Sequence, residues 1–228
     1  MTATCDDRCH AAGRDRQSRD CPLCLNPDAP LFFEDRRSYF RCPVCELVFV
    51  PPELFVSAEV EKAEYDKHEN SAADPRYRAF LRRLQEPLLQ RLSPHSHGLD
   101  FGSGPGPTLS LMFEEAGHAM RIYDPFYAAD ESAWQHRYDF ITASEVIEHL
   151  HHPRRELDRL WSCLKPRGLL GIMTKRVIDR DAFARWHYKD DPTHVCFFSL
   201  PTFRWMATCW QAELTIPADD VVVLSKVP

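Results

Sequence analysis

Four side chains in two separate stretches of this 228-residue chain have the types and spacing to do chemistry. In "SEVIEHLHHP", Glu145, Glu148 and His149 stand at i, i+3 and i+4, which puts them on one face of a helical turn. Downstream, "DDPTHVCFFS" supplies His194. Two carboxylates and two imidazoles can hold an octahedral magnesium or manganese ion, with water and substrate oxygens completing the shell. The same groups can act without metal, with His149 or His194 as a base, or they can brace a loop. The spacing leaves these three readings open. His151 and His152 read as the solvated start of the next helix.

A second constellation lies in "GLDFGSGPGPTLSL". Gly102, Gly104 and Gly106 form G-x-G-x-G between a hydrophobic run and a helical one. A dinucleotide fingerprint has G-x-G-x-x-G, which would require glycine where the chain has Pro107, so a nicotinamide cofactor is disfavoured. Asp100 would repel a phosphate and suits a ligand with an ammonium group. Asp124 ends "RIYD", about twenty residues past the glycines, where an acid accepts hydrogen bonds from ribose hydroxyls. A ribose, a cationic end and no phosphate describe S-adenosylmethionine.

The elements that position these residues alternate. "GLDF", "AMRIYD", "YDFITAS" and "LLGIMTK" read as strands, separated by the helices "TLSLMFEEAG" and "PRRELDRLWSCLK". "SLPTFRWMATCW" is a helix capped by Ser199, and "AELTI" and "VVVLSKV" form a terminal hairpin. The expected fold class is α/β, a mostly parallel Rossmann-like sheet with a terminal antiparallel hairpin. Ahead of it, Cys21/Cys24 and Cys42/Cys45 form two C-x2-C pairs with the spacing of a structural zinc ribbon. The expected domains are a flexible leader at 1–20, the ribbon at 21–52, a helical lid or linker at 53–96, and the cofactor-binding domain at 97–228. Cys5, Cys9 and His10 in the leader read as a stray reactive group. Pro87 is expected to bend the 53–96 helix, and Arg78, Arg82 and Arg83 decorate its outer side. Tyr65, His68, Trp186, His187 and Tyr188 are available to wall an acceptor, while Lys189, Asp190 and Asp191 read as solvated loop.

Bulk properties restrict the partners. With 44% hydrophobic and 27% charged residues the chain is that of a soluble globular protein, and a net charge of −6 gives no general attraction for nucleic acid. No run reaches the length of a membrane span and no signal core precedes the cysteines, so a reducing cytoplasm is expected. The oligomeric state is open.

"LDFGSGPG", "YD", "YDFITASEVIEHL" and "LKPRGLLGIMTK" together resemble the class I S-adenosylmethionine-dependent methyltransferases. Some bacterial members carry a cysteine ribbon ahead of the same domain, including certain sugar C-methyltransferases and a ribosomal-RNA guanine methyltransferase. The resemblance implies that Asp100, Gly102, Gly104 and Gly106 line the methionine end, with Asp124 on the ribose. Ser144, ending its strand, joins the cofactor-binding set. Phe126 or Tyr127 would stack on the adenine, or Asp130 or Glu131 would bond it. Only "PFYAADESAWQHR" separates Asp124 from Tyr138, too short for the family's third strand with its helix.

The Glu/Glu/His/His pattern resembles that of ubiquinone-pathway O-methyltransferases and of small-RNA 3′-terminal 2′-O-methyltransferases. It implies Glu145, Glu148, His149 and His194 as ligands of a divalent cation, with Glu145, His149 and His194 catalytic. The leading expectation is methylation of oxygen on a small-molecule acceptor. An RNA methyltransferase gripping its substrate with the ribbon, and an inactive zinc-ribbon scaffold, are the alternatives.

Overall fold

The computed structural model describes residues 18–67 and 71–228; Cys5, Cys9, His10 and His68 lie outside them. Among the described residues, eleven strands form two sheets. The larger contains β5 (His97–Phe101), β6 (Ala119–Tyr123), β7 (Tyr138–Ser144), β8 (Leu164–Met173), β10 (Ala212–Ala218) and β11 (Val221–Lys226). Its order is β10-β11-β8-β7-β5-β6, with β5 to β8 parallel and the final hairpin antiparallel. No strand lies between β6 and β7 in the chain, as the short Asp124–Tyr138 passage requires; a 3-10 turn at Glu131–Gln135 fills it.

Side chains alternate along the strands of this sheet, and each face has its own cover. Leu169 and Met173 of β8, with Val221 and Val223 of β11, join one buried cluster; Leu170, Ile172, Val222 and Leu224 join the other. The first face is covered by α2 (Pro75–Leu89) and α3 (Thr108–Glu115). Leu81, Leu84 and Leu88 of α2 are each at most 1% exposed, and burying one such side chain stabilises by about 1.5–3 kcal/mol. The close approach leaves Gly171 no room for a side chain, since a Cβ there would lie 2.7 Å from a Leu88 methyl. The expectation of a lid over 53–96 is therefore corrected: its larger helix, which accommodates Pro87 internally, is core, because its apolar stripe faces the sheet. Only α1 (Ala58–Tyr65), capped by Ser57, is left to lie across the site.

The smaller sheet is antiparallel in the order β1-β2-β3-β4-β9, from β1 (Ser18–Arg19), β2 (Ala29–Glu34), β3 (Ser38–Arg41), β4 (Val48–Phe49) and β9 (Cys196–Phe197). Ser18 and Arg19, assigned to the leader by sequence, pair with Pro30 and Ala29. The last strand comes from the other end of the chain: Val48 pairs with Phe197 and Phe49 with Cys196. The ribbon shares one continuous core with the face covered by α4 (Pro153–Cys163) and α6 (Leu200–Trp210). Phe183 of α5 (Arg180–Ala184) sits edge-on to Phe32, Phe33, Tyr39 and Phe197. The boundary expected at residue 52 is thus not a structural divide. No helix among the described residues is long and apolar enough to cross a membrane.

Candidate methyl-donor and acid–histidine site

In an open parallel sheet a ligand binds where successive connections leave to opposite sides. Here that point lies between β5 and β7, because β6 flanks β5 on one side and β7 on the other. The carboxyl ends of these two strands carry the glycine turn and the Ser144–Glu145 step. Gly102 has φ +73° and Gly104 φ +63°, in the left-handed region where glycine escapes Cβ crowding. A Cβ on Gly102 would also overlap Val146, whereas one on Gly104 would meet nothing within 4 Å. Gly104 therefore borders open space and Gly102 borders protein. The Gly106 carbonyl accepts from the Thr108 amide at 2.7 Å, closing the turn into α3.

The two acids lie where the sequence order puts them, with different surroundings. Asp124 accepts the Gly104 amide on Oδ2 at 2.9 Å, and the Phe126 and Tyr127 amides on Oδ1 at 2.8 and 3.1 Å. Its carboxylate ties the glycine turn to the loop after β6. Asp100 is beneath the turn rather than in its mouth: it is 4% exposed and accepts from Thr142 Oγ1 at 2.7 Å and Ser110 Oγ at 3.2 Å. Burial raises its pKa to about 6 against the pull of those hydroxyls. Ser144 ends β7 half-buried at the switch point.

Beyond Ser144 the chain does not make the expected α-helical turn. Glu145 has φ +53°, and a 3-10 turn covers only Ile147–His149. Glu148, His149 and His194 offer ligand atoms all within 4.8 Å of one another; Glu145 is not part of that group. Of the four residues expected to converge, the structure brings three together, because the left-handed step at Glu145 takes it out of the turn. Its carboxylate instead faces the Tyr188 hydroxyl, at 3.5 Å. Both imidazoles are oriented from behind: His149 Nδ1 lies 3.2 Å from the Thr193 carbonyl and His194 Nδ1 2.6 Å from the Tyr188 carbonyl. A carbonyl oxygen only accepts, so each ring is held with its proton on Nδ1 and its Nε2 lone pair presented.

Glu148 is fully buried, and its Oε2 has no hydrogen-bond partner among the described residues. Its Oε1 accepts from the Tyr188 hydroxyl. An orphaned buried oxygen costs about 1–3 kcal/mol, more when charged. Burial raises the Glu148 pKa to about 7 against the pull of the Tyr188 hydroxyl, its own amide and the Thr174 hydroxyl; burial and then the Glu148 charge raise Glu145 to about 8, with Lys175 opposing. Burial lowers His194, with Asp191 opposing. Two imidazole lone pairs and an unpartnered carboxylate oxygen fit a divalent cation, which would supply the missing partner.

Aromatic rings wall the site. Tyr65 of α1 is edge-on to His149 at 5.1 Å and to Phe126 at 5.7 Å. Trp186 stacks on Tyr188 at 4.9 Å, and Tyr188 lies 4.1 Å from His194. Tyr188 was read from sequence only as a wall; burial and the facing Glu148 and Glu145 charges hold it protonated, as a donor. Burial, followed by the Asp100 and Glu145 charges, pushes the Tyr77 pKa to about 12. Lys189, expected to be solvated, is 4% exposed and paired with Asp35 and Asp190. Nothing in the local sequence signals these roles, since their partners are remote in the chain.

The four ribbon cysteines converge. Cys21 and Cys45 sulfurs are 3.5 Å apart and those of Cys24 and Cys42 3.2 Å, with all four within 4.8 Å. Sulfurs about 2.3 Å from a tetrahedral zinc lie about 3.8 Å from each other, so the set fits. Each C-x2-C turn is followed by a left-handed residue, Leu25 at φ 64° and Glu46 at φ 58°. The Cys24, Val44 and Cys45 amides point at sulfur, as suits thiolates.

Residues 72–216 match the family model described as a methyltransferase domain. No curated protein matches the chain. Among solved structures, the chain is similar to a Burkholderia thailandensis 1,6-didemethyltoxoflavin-N1-methyltransferase bound to 1,6-didemethyltoxoflavin and S-adenosylhomocysteine. That likeness has 13% identity, 88% coverage of this chain, 100% of that one and a TM-score of 0.49. The PH0226 protein of Pyrococcus horikoshii is similar at 13% identity, with 70% and 94% coverage and a TM-score of 0.44. The family match spans more than half of the chain and takes in the glycine turn, Asp124 and the acid–histidine cluster, and the chain accordingly belongs to the class I S-adenosylmethionine-dependent methyltransferases.

Proposed function

We propose that the protein methylates an oxygen of a small-molecule acceptor, with S-adenosylmethionine over the glycine turn and a divalent cation on Glu148, His149 and His194. The observation that carries this reading is the orphaned Glu148 Oε2 beside two imidazoles whose Nδ1 atoms are already committed to carbonyls. Asp124 would accept the ribose hydroxyls, and the open side of Gly104 would admit the nucleoside. When bound, the cation would lower the pKa of an acceptor hydroxyl, the proton that otherwise makes an alcohol or phenol a poor nucleophile. Tyr188 holds Glu148 in place, Glu145, with its pKa raised to about 8, would accept a proton only once it has ionised, and Tyr65, Phe126 and Trp186 would help to exclude water.

The charge distribution favours a small acceptor over RNA. Among the arginines available to grip a phosphate backbone, Arg19 pairs with Glu53, Arg41 with Glu46, Arg78 with Glu115 and Arg83 with Asp220. Zinc on Cys21, Cys24, Cys42 and Cys45 belongs to the same proposal as a structural ion. The reading is tested with labelled S-adenosylmethionine and catechol as the probe acceptor, together with Mn2+ titration followed by its paramagnetic resonance. We expect one Mn2+ site that Glu148→Gln weakens about 30-fold, and label transfer to catechol oxygen that chelation suppresses and Mg2+ restores. Absence of a Mn2+ site in the wild-type protein would overturn the cation; transfer unaffected by chelation would restrict the role of the cluster to acid/base work.

A further inference from the structure

Tyr188 lies in a single 3-10 turn, His187–Asp190, and His194 follows it in a loop of irregular chain, yet both face Glu148. The restraint comes from the ribbon, more than 150 positions earlier in the chain. Arg37, in the turn between β2 and β3, reaches into this loop. Its Nη1 donates to the Pro192 and His194 carbonyls, each at 3.1 Å, and its Nη2 to the carbonyls of Lys189 and of Asp191, the latter at 2.8 Å. Its Nε donates to the Tyr39 hydroxyl at 3.3 Å, which in turn donates to the Lys189 carbonyl at 3.0 Å. A guanidinium has five N–H donors in a fixed plane, and all five are used on one loop and its tyrosine support. Asp35, from the same turn, ties the buried Lys189 ammonium. The loop's other end is fixed by β9 on β4, and Val195 donates to the Glu148 carbonyl at 2.8 Å.

We propose that Arg37 is a positioning residue for methyl transfer: the ribbon acts as a clamp that shapes the 188–194 loop so that the Tyr188 hydroxyl meets Glu148 and the His194 ring presents Nε2. The carbonyl that orients His194 belongs to Tyr188, and the next carbonyl along, that of Lys189, is gripped by Arg37. Releasing the grip frees the backbone that sets both side chains. Lysine has the charge but only three donors and no plane, so it cannot collect four diverging carbonyls. This assigns the ribbon an intramolecular task, deepening the reading under Proposed function, on which its catalytic consequence rests.

The test uses the full-length, zinc-loaded chain carrying Arg37→Met, Arg37→Lys or, as a control on the same turn, Arg36→Met. Three readouts are taken: turnover with catechol and S-adenosylmethionine, two-bond 1H–15N spectra of the His194 ring, and hydrogen exchange of the 188–197 amides. We expect Arg37→Met to lower kcat about 30-fold or more while the KM for S-adenosylmethionine stays within threefold. His194 should lose its single Nδ1–H tautomer pattern, and amides 188–197 should exchange at least tenfold faster. Arg37→Lys should recover part of the kcat, and Arg36→Met should match the wild type. Should Arg37→Met fail to fold, Asp35→Asn removes the charge that ties Lys189 while its amide oxygen can still accept the Arg37 amide, and it should give the same changes at smaller size. An unchanged His194 tautomer and unchanged exchange in folded Arg37→Met, or in folded Asp35→Asn where only that variant is available, would overturn the clamp. If the wild type transfers nothing to catechol, the proposed acceptor fails, while the tautomer and exchange readouts still decide the clamp.

Discussion

The two halves of the site are assembled in opposite ways. On the donor side, Asp100, the glycine turn and Asp124 lie within one strand–helix–strand unit, and the carboxylates are met by hydroxyls and amides of that unit and of neighbouring β7. On the acid–histidine side, the contacts join residues 37, 148, 188 and 194, and one buried carboxylate oxygen is left without a partner. In the donor half both carboxylates are fully partnered and, among the described residues, only a neutral hydroxyl, that of Ser103 in the glycine turn, is buried without a partner. The acid–histidine half is incomplete, and an incomplete buried network is a place for a charge to bind.

The largest effect separating the halves is expected at Asp124. Asp124→Ala removes the acceptor for three amides and for the ribose, and should weaken S-adenosylhomocysteine binding about 100-fold by calorimetry while leaving Mn2+ binding intact. Loss of both together would erase the distinction.

Next in size is the pH dependence of stability in the metal-free protein. Glu148 and Glu145 have pKa values raised to about 7 and about 8 from an ordinary 4.5, chiefly by burial. Between those limits the folded state holds protons that the unfolded chain has released. Stability is therefore fully present below about pH 4.5 and is lost as pH rises through 7 and 8. The melting temperature of chelated wild type should fall by several degrees from about pH 5 to about pH 8, and Glu148→Gln should flatten that fall. Added Mg2+ should reverse its sign by favouring the ionised carboxylate.

The smallest contrast lies within the glycine turn. Gly102→Ala meets Val146 as well as an unfavourable φ, so it should lower the melting temperature by several degrees; Gly104→Ala, facing open space, should cost about 1 kcal/mol in stability and act mainly on cofactor affinity. Equal effects of the two on stability would show that Gly104 does not border the ligand.

How much of this the sequence made legible follows the same division. The parallel sheet, the Ser199 cap and the terminal hairpin are local patterns of period or turn chemistry, and each is present; the short Asp124–Tyr138 passage likewise holds no strand. The order of Asp100, the glycines and Asp124 likewise encodes their neighbourhood, because one strand–turn–helix unit brings them together. Spacing misplaced Glu145 because it assumed α-helical geometry where the backbone takes a left-handed step into a 3-10 turn. Arg37 carries no local signal, Tyr188 reads only as a wall and Lys189 as solvated loop, because their contacts depend on β9 joining a distant ribbon, which no periodicity records. Tyr77 lies on α2, and only the fold brings it within the field of the Asp100 and Glu145 charges.

The central claim is that the two halves face each other, the methyl group of the donor beside a cation on Glu148, His149 and His194. The most direct measurement is the relaxation of the 13C-labelled methyl of bound S-adenosylmethionine when Mn2+ is added to the full-length protein. The account predicts strong broadening that disappears in Glu148→Gln, with S-adenosylmethionine still bound. A methyl resonance that stays sharp with both Mn2+ and S-adenosylmethionine bound to the wild type would contradict it.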